Sequence, residues 1–353
     1  MTITPDRLAQ WTLDLCAVPS VTCDEDRLCS EVAQWVSAMG PDLTVTRVGN
    51  SLVCHPPLVE GRPTVGLFGH LDTVKPAADQ PLEIMDERVY GCGASDMKGG
   101  LAVMLGLLTE REQLTKANLV CVFYDKEEGP ATENGLEPLL QSGAVPALDF
   151  AFCLEPTDNR VQVGCVGGLH ARVTFQGRRA HSARPWQGEN AIYKAIAFLT
   201  RLRDRGRIPV AFGPLTYYEV MNATMAETQN SRNVVPDRFV VNVNYRFAPG
   251  KTLDQAKAEL VNEVAGEAEV EIIDEAPSGQ VYLDHPLFTP WQQALGLETE
   301  PKQAWTDVAR LTARGIPAVN FGPGETAQAH QARESIAVAD LAFNYDAFRR
   351  YFV

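Results

Sequence analysis

The hydrophobic pattern divides the chain into two kinds of segment. Between residues 64 and 155, short uniformly apolar runs alternate with helical patterns. TVGLFGH (64–70), NLVCVFYD (118–125) and DFAFCLE (149–155) read as buried strands, and GGLAVMLGLLTE (99–110) and NGLEPLLQSG (134–143) as helices. Strands that lack polar alternation are buried on both faces, so this part predicts an α/β sheet covered on either side. Two further helices, over 5–17 and 24–39, precede it. Pro19 and Ser20 break them, and Thr22 or Asp24 is the expected cap of the second.

Near residue 168 the pattern changes. LHARVTFQG alternates with period two, the stretch 190–204 is an amphipathic helix, and LTYYEVMNATM and RFVVNVNYRFA are strands. TLDQAKAELVNEVAG is a helix capped by Thr252, and AEVEIID is a last strand. This β-α-β-β-α-β order predicts a small ferredoxin-like α+β domain. After residue 280 the α/β pattern resumes, with a helix at 287–296, a strand in PAVNFG and a final helix. The expected organisation is one α/β domain with a mixed central sheet, built from 1–166 and 280–353, and interrupted by a lid over 167–279.

Composition narrows the function classes. The 353 residues carry 45 Asp+Glu against 31 Lys+Arg, a formal charge of −14. Nucleic-acid binding needs a basic face, and docking on an anionic membrane needs the same, so neither partner is expected. No apolar run approaches the ~18 residues of a membrane span. The N-terminus lacks the basic, apolar and small-residue order of a signal peptide, so a cytoplasmic protein is expected. All eight cysteines lie at or before residue 165 and none forms a CxxC pair. They read as free, mostly buried thiols.

The candidate chemistry sits where strands end. His70 closes a strand, and Asp72, two residues on, faces the same way in extended chain and could accept its second ring N–H. A structural His–Asp pair reads equally well. Asp96 lies at a helix entry, where an N-cap role is the alternative. Glu127 and Glu128 follow the strand at 118–124, where a solvated loop is the alternative, and Glu155 follows the next strand. His330 lies in GPGETAQAH, past the strand in PAVNFG. In open α/β sheets ligands bind outside the carboxyl ends of the strands. Two imidazoles and three carboxylates without thiolate suit zinc, with cobalt or manganese as substitutes. Two metals roughly 3.5–4 Å apart could share one carboxylate.

Seven segments in order, GHLDTV, GCGASDMKGG, DKEEG, CLEPT, RRAHSARPWQGENA, NVVPD and GPGETAQAH, resemble the dizinc deacylase/aminopeptidase family over nearly the whole chain. The resemblance implies two Zn²⁺ per subunit. Asp96 would bridge them, with His70 and Glu155 at one and Glu128 and His330 at the other. Asp72 would support His70, and Glu127 would be the general base. His181, from the lid, would reach an active site across a homodimer interface and stabilise the oxyanion. Arg178, Arg232, Asn233, Arg246, Thr306 and Gly324 would bind an N-acyl amino acid, with Arg184 and Arg310 adding counter-charge to its carboxylates.

Within that family, the segments Trp305–Arg310 and Gly315–Gly324 resemble the actinobacterial-type desuccinylase branch, which implies removal of a succinyl group from a diamino acid. Acetylornithine deacetylases and dipeptidases are the alternative. Two departures bear on acyl-group choice: Val166-Gly167-Gly168-Leu169-His170 stands where the branch carries Gln-Gly-Thr-Leu-Arg, and Arg232-Asn233 where it carries Asn-Asn.

Overall fold

The computed structural model describes residues 3–353. Its contacts divide the chain into two units: Met1–Gly164, Tyr282–Glu300 and Thr306–Val353 form the first, and Cys165–Val281 with Pro301–Trp305 the second.

The first unit is built on a mixed eight-stranded sheet. Its centre is four parallel strands, in the spatial order Asn118–Tyr124, Thr64–His70, Phe150–Cys153 and Ala318–Asn320. Every residue of these strands is buried, as their uninterrupted apolar character requires. The register pairs His70 with Tyr124, Phe68 with Cys153 and Asn320 with Cys153. All four strands therefore run out on the same edge, and the residues that follow them emerge side by side.

Helix Gly99–Thr109 is buried through Leu108 and packs on helices Pro5–Ala17 and Val338–Phe352. It approaches the strands closely: a Cβ on Gly100 would lie 2.8 Å from the Leu154 carbonyl oxygen. Only glycine allows that approach, which seats the loop before the helix beside the chain that leads from the strand Phe150–Cys153 to Glu155. An aromatic cluster of Phe150, Phe152, Trp291, Phe321, Phe348 and Tyr351 fills the core beneath the sheet.

The second helix spans Asp26–Ala38, and neither Thr22 nor Asp24 caps it. The cap position is Glu25, whose carboxylate accepts the Cys23 N–H at 2.6 Å. Thr22 instead donates its hydroxyl to Asp72.

The second unit is a five-stranded antiparallel sheet in the order Arg207–Phe212, Leu215–Glu227, Arg238–Phe247, Gly167–Gln176 and Glu269–Ala276. The helical segments Ala191–Lys194, Ile196–Arg205 and Leu253–Val264 supply its core together with the sheet's apolar positions. Thr252 caps the last helix with a full capping box, its Oγ1 accepting the Gln255 N–H while the Gln255 side chain accepts the Thr252 N–H. The strand Arg207–Phe212 was not expected from the sequence. It pairs with Leu215–Val220 as an edge hairpin, and its half-exposed residues and Pro209 blur the apolar alternation.

Candidate active site

The strand ends deliver the carboxylates and imidazoles to one place. His70 is fully buried, and its Nε2 lies 3.2 Å from Asp96 Oδ1. His330 Nε2 lies 2.8 Å from Glu128 Oε1 and 3.7 Å from Asp96 Oδ2. Two groups of potential metal donors result, His70–Asp96–Glu155 and Asp96–Glu128–His330, each with its ligand atoms within 4.8 Å of one another. The two share Asp96, so one carboxylate stands between two three-donor clusters.

Asp96 is not a helix cap. The helix proper begins at Gly99 with Lys98 at the cap position. Asp96 and Met97 have non-helical backbone angles, φ −121° and −136°, and the peptide bond between them is cis. The N–H groups of Gly93, Ser95 and Asp96 lie before the helix and have no helical partners, and Glu334 takes them up. Its Oε2 accepts from Gly93 at 2.8 Å, and its Oε1 accepts from Ser95 and from Asp96, both at 2.9 Å. Sequence reasoning missed Glu334, because a single acid in a loop carries no period and no motif.

Asp72 also differs from expectation. The ring Nδ1–H of His70 donates to the backbone carbonyl of Asp72 at 2.9 Å, while the Asp72 carboxylate stands at 3.6 Å. The carboxylate is engaged elsewhere: Oδ1 accepts the Glu127 N–H at 2.9 Å, and Oδ2 accepts the Glu128 N–H at 3.0 Å and the Thr22 hydroxyl at 2.9 Å. The His70 tautomer is therefore set by a main-chain oxygen, and Asp72 fixes the turn that carries both glutamates.

The electrostatics are those of a site short of positive charge. Burial raises the Glu127 carboxyl well above the usual carboxylate range, and Glu155 adds to the shift while His70 opposes it. Burial raises Glu128 as well, opposed by His70. On His70 burial works against the charged form, but the hydrogen bond to Asp96 and the charges of Glu127 and Asp72 outweigh it, and the imidazole is held well above its ordinary value. His330 is raised for the same reason, against burial, mainly by Glu128. Burial also lifts the Glu334 carboxyl to about 7 despite its three N–H donors.

The remaining candidates fall in different settings. Thr306 is buried in the first unit, where Arg310 forms an ion pair with Asp307 at 2.7 Å and so is already committed. Gly324 presses on the Asp96 loop, since a Cβ there would lie 2.2 Å from the Ser95 carbonyl oxygen. In the second unit Arg178 is exposed and pairs with Glu189 at 3.3 Å. Exposed His181 accepts the Ala183 N–H on Nδ1 at 3.0 Å and sits in a two-residue strand opposite Val234. Exposed Arg232 and Asn233 lie in the loop just before Val234, with the Asn233 carbonyl accepting from the Ser182 N–H. Arg246 is half-buried, and burial lowers its guanidinium from the usual value. Facing it across the sheet is Gly168, and His170 nearby contacts Asn244 at 2.9 Å. Among the other histidines, His285 packs against Phe150 with the rings tilted by 32°, and His55 bonds a neighbouring carbonyl. All eight cysteines are free thiols.

With this geometry in place, the likeness to known proteins is specific. The profile of the peptidase family M20/M25/M40 matches residues 66–353. A putative succinyl-diaminopimelate desuccinylase of Mycobacterium tuberculosis is 36% identical over 344 residues, 96% of each chain. An acetylornithine deacetylase of Myxococcus xanthus is 31% identical, covering 80% of this chain and 77% of that one. A tripeptidase from Staphylococcus aureus superposes with a TM-score of 0.81 at 21% identity, covering 100% of this chain and 98% of the other. The chain belongs to peptidase family M20/M25/M40.

Proposed function

We propose that the protein is a metal-dependent amide hydrolase that removes the succinyl group from N-succinyl-L,L-2,6-diaminopimelate. The observation that carries the hydrolase reading is the Asp96-centred pair of donor clusters, with Glu127 beside them and outside both. The substrate rests on the 36%-identical relative. Acetylornithine deacetylase is the second reading, favoured by the 31% relative; the departures at His170 and Arg232 bear on acyl-group choice without pointing to one acyl group.

The donor set fits two divalent cations: two imidazoles, three carboxylates and no thiolate, with closely grouped, buried or partly buried acids that positive charge would relieve. Zinc is the metal proposed, with cobalt or manganese as substitutes. Bound there, the pair would polarise the amide carbonyl and acidify the attacking water. His70 and Glu155 would hold one cation, Glu128 and His330 the other, and Asp96 both. Glu127 takes the proton of the attacking water on its carboxylate and passes it to the leaving amine. Asp72 holds the Glu127 and Glu128 backbone so that one side chain binds and its neighbour stays free for proton transfer.

Residues 167–279 are proposed as a lid that also dimerises the protein. His181 is assigned to the oxyanion, and Arg178, Arg232, Asn233, Arg246, Thr306 and Gly324 to the substrate. A cytoplasmic location suits a biosynthetic role, and no helix among the described residues is long and apolar enough to cross a membrane. Zinc-loaded protein should turn over N-succinyl-L,L-diaminopimelate with a higher kcat/KM than N-acetylornithine or dipeptides. No turnover of the succinylated compound would remove the desuccinylase reading, and faster N-acetylornithine hydrolysis would install the alternative.

A further inference from the structure

Glu334 is 2% exposed and spends its whole carboxylate on one loop. Oε2 accepts from Gly93, and Oε1 accepts from both Ser95 and Asp96. The loop needs such a partner. Gly93 is left-handed at φ +81°, and neither Asp96 nor Met97 is helical, so these three N–H groups have no intrahelical acceptor. Glu334 is itself fixed at both ends of its peptide unit. Its N–H donates to Gln80 Oε1 at 3.1 Å, and its carbonyl accepts from Gly91 at 3.1 Å and from Gln80 Nε2 at 3.1 Å. It also follows His330 by four residues, so one segment delivers a donor imidazole and the clamp on the shared carboxylate.

We infer that Glu334 is a positioning residue for the shared carboxylate: it holds the Gly93–Asp96 loop so that Asp96 reaches both donor clusters at once. The inference rests on the proposed reading of Asp96 as a ligand common to two metals. It carries a signature that a direct ligand lacks. Removing His330 or Glu155 strips one cluster, whereas releasing Asp96 from its clamp weakens both together. Groups that orient metal ligands typically contribute 10–100-fold in affinity.

The test is Co²⁺ titration of the metal-free full-length protein, followed by calorimetry and by the visible cobalt absorption, with melting of the metal-free protein alongside. Glu334→Gln keeps one oxygen for Ser95 and Asp96 but turns an amide N–H₂ toward the Gly93 N–H, donor against donor. It should weaken both cobalt equivalents by about 10-fold with little change in the metal-free melting temperature. Glu334→Ala leaves all three N–H groups unpartnered and should approach a 100-fold loss in both. His330→Ala should weaken one equivalent far more than the other. If Asp96→Asn binds both equivalents as the wild type does, the shared-ligand reading fails. If Asp96→Asn loses both while Glu334→Gln and Glu334→Ala bind as the wild type does, the role given to Glu334 fails. A lower metal-free melting temperature with both affinities intact marks a packing role and overturns it equally. Should Glu334→Ala not fold, Glu334→Gln decides.

Discussion

The Asp72 carboxylate accepts the backbone N–H of Glu127 at 2.9 Å, and its second oxygen accepts that of Glu128. One buried acid therefore sets the direction in which two adjacent glutamates leave the strand. Asp72→Ala should lower kcat/KM by roughly 10–100-fold, the range for groups that orient metal-site residues. Asp72→Asn, which keeps one acceptor, should fall between it and the wild type. Steady-state kinetics with metal analysis checks this, and an unchanged kcat/KM in Asp72→Ala would remove the role.

Glu127 belongs to neither donor cluster, yet its backbone is held as firmly as that of Glu128. If it moves the proton, Glu127→Gln should reduce kcat by about 10²–10⁴-fold with both metals retained. Removal of an interaction made only in the transition state lowers kcat and kcat/KM alike. Loss of metal together with activity would instead make Glu127 a ligand, and full activity would end the base assignment.

Much of this arrangement is legible in the sequence because of where it lies. The strands Thr64–His70, Asn118–Tyr124 and Phe150–Cys153 are buried on both faces and parallel. Polar residues just past them must then emerge on one edge, and His70, Glu128 and Glu155 do. What the sequence withholds is how those residues are held. The His70 ring meets a main-chain carbonyl rather than the Asp72 carboxylate, and a main-chain acceptor has no residue type to recognise. Glu334 acts through the backbone N–H groups of Gly93, Ser95 and Asp96, and main-chain donors leave no mark in the sequence. The hairpin strand Arg207–Phe212 escapes for another reason: an edge strand half in water lacks the apolar contrast by which strands are read.

The sheet that aligns these groups depends on its core. Phe152 is fully buried and meets Phe150, Trp291, Phe348 and Tyr351 edge-on, at centroid distances from 5.0 to 5.5 Å. Phe152→Ala should destabilise the protein by about 3–5 kcal/mol, the range for emptying a buried aromatic site. Denaturant unfolding of the metal-free protein gives the value. A loss below about 1 kcal/mol would mean that the surrounding rings collapse into the space.

In the second unit Tyr193 and Ile196 are 70% and 55% exposed. Three apart in a helical stretch, they share a face, and paired apolar exposure of this kind marks interaction surfaces. The proposed homodimer would bury it. Sedimentation velocity should give twice the 38.7 kDa chain mass, and Tyr193→Glu with Ile196→Glu should give a monomer. A monomeric wild type overturns the dimer, and a double variant that stays dimeric moves the interface elsewhere.

Glu259 links stability to pH. It receives Arg205, Lys251 and the Tyr245 hydroxyl, the last at 2.7 Å. Burial pushes its carboxyl up, but hydrogen bonds from Lys251, Tyr245 and Arg205 win and hold it at about 2, against 4.5 for the free group. A carboxyl depressed in the folded state stabilises above its unfolded pKa, and the benefit fades as pH falls toward the folded value. Wild type should therefore exceed Glu259→Gln in urea midpoint by a constant margin between about pH 5.5 and 7. The margin should shrink between pH 4.5 and about 2. It should be modest, because the side chain is 31% exposed and its ion pairs are partly screened. A margin independent of pH over that window would show that the carboxylate charge contributes nothing.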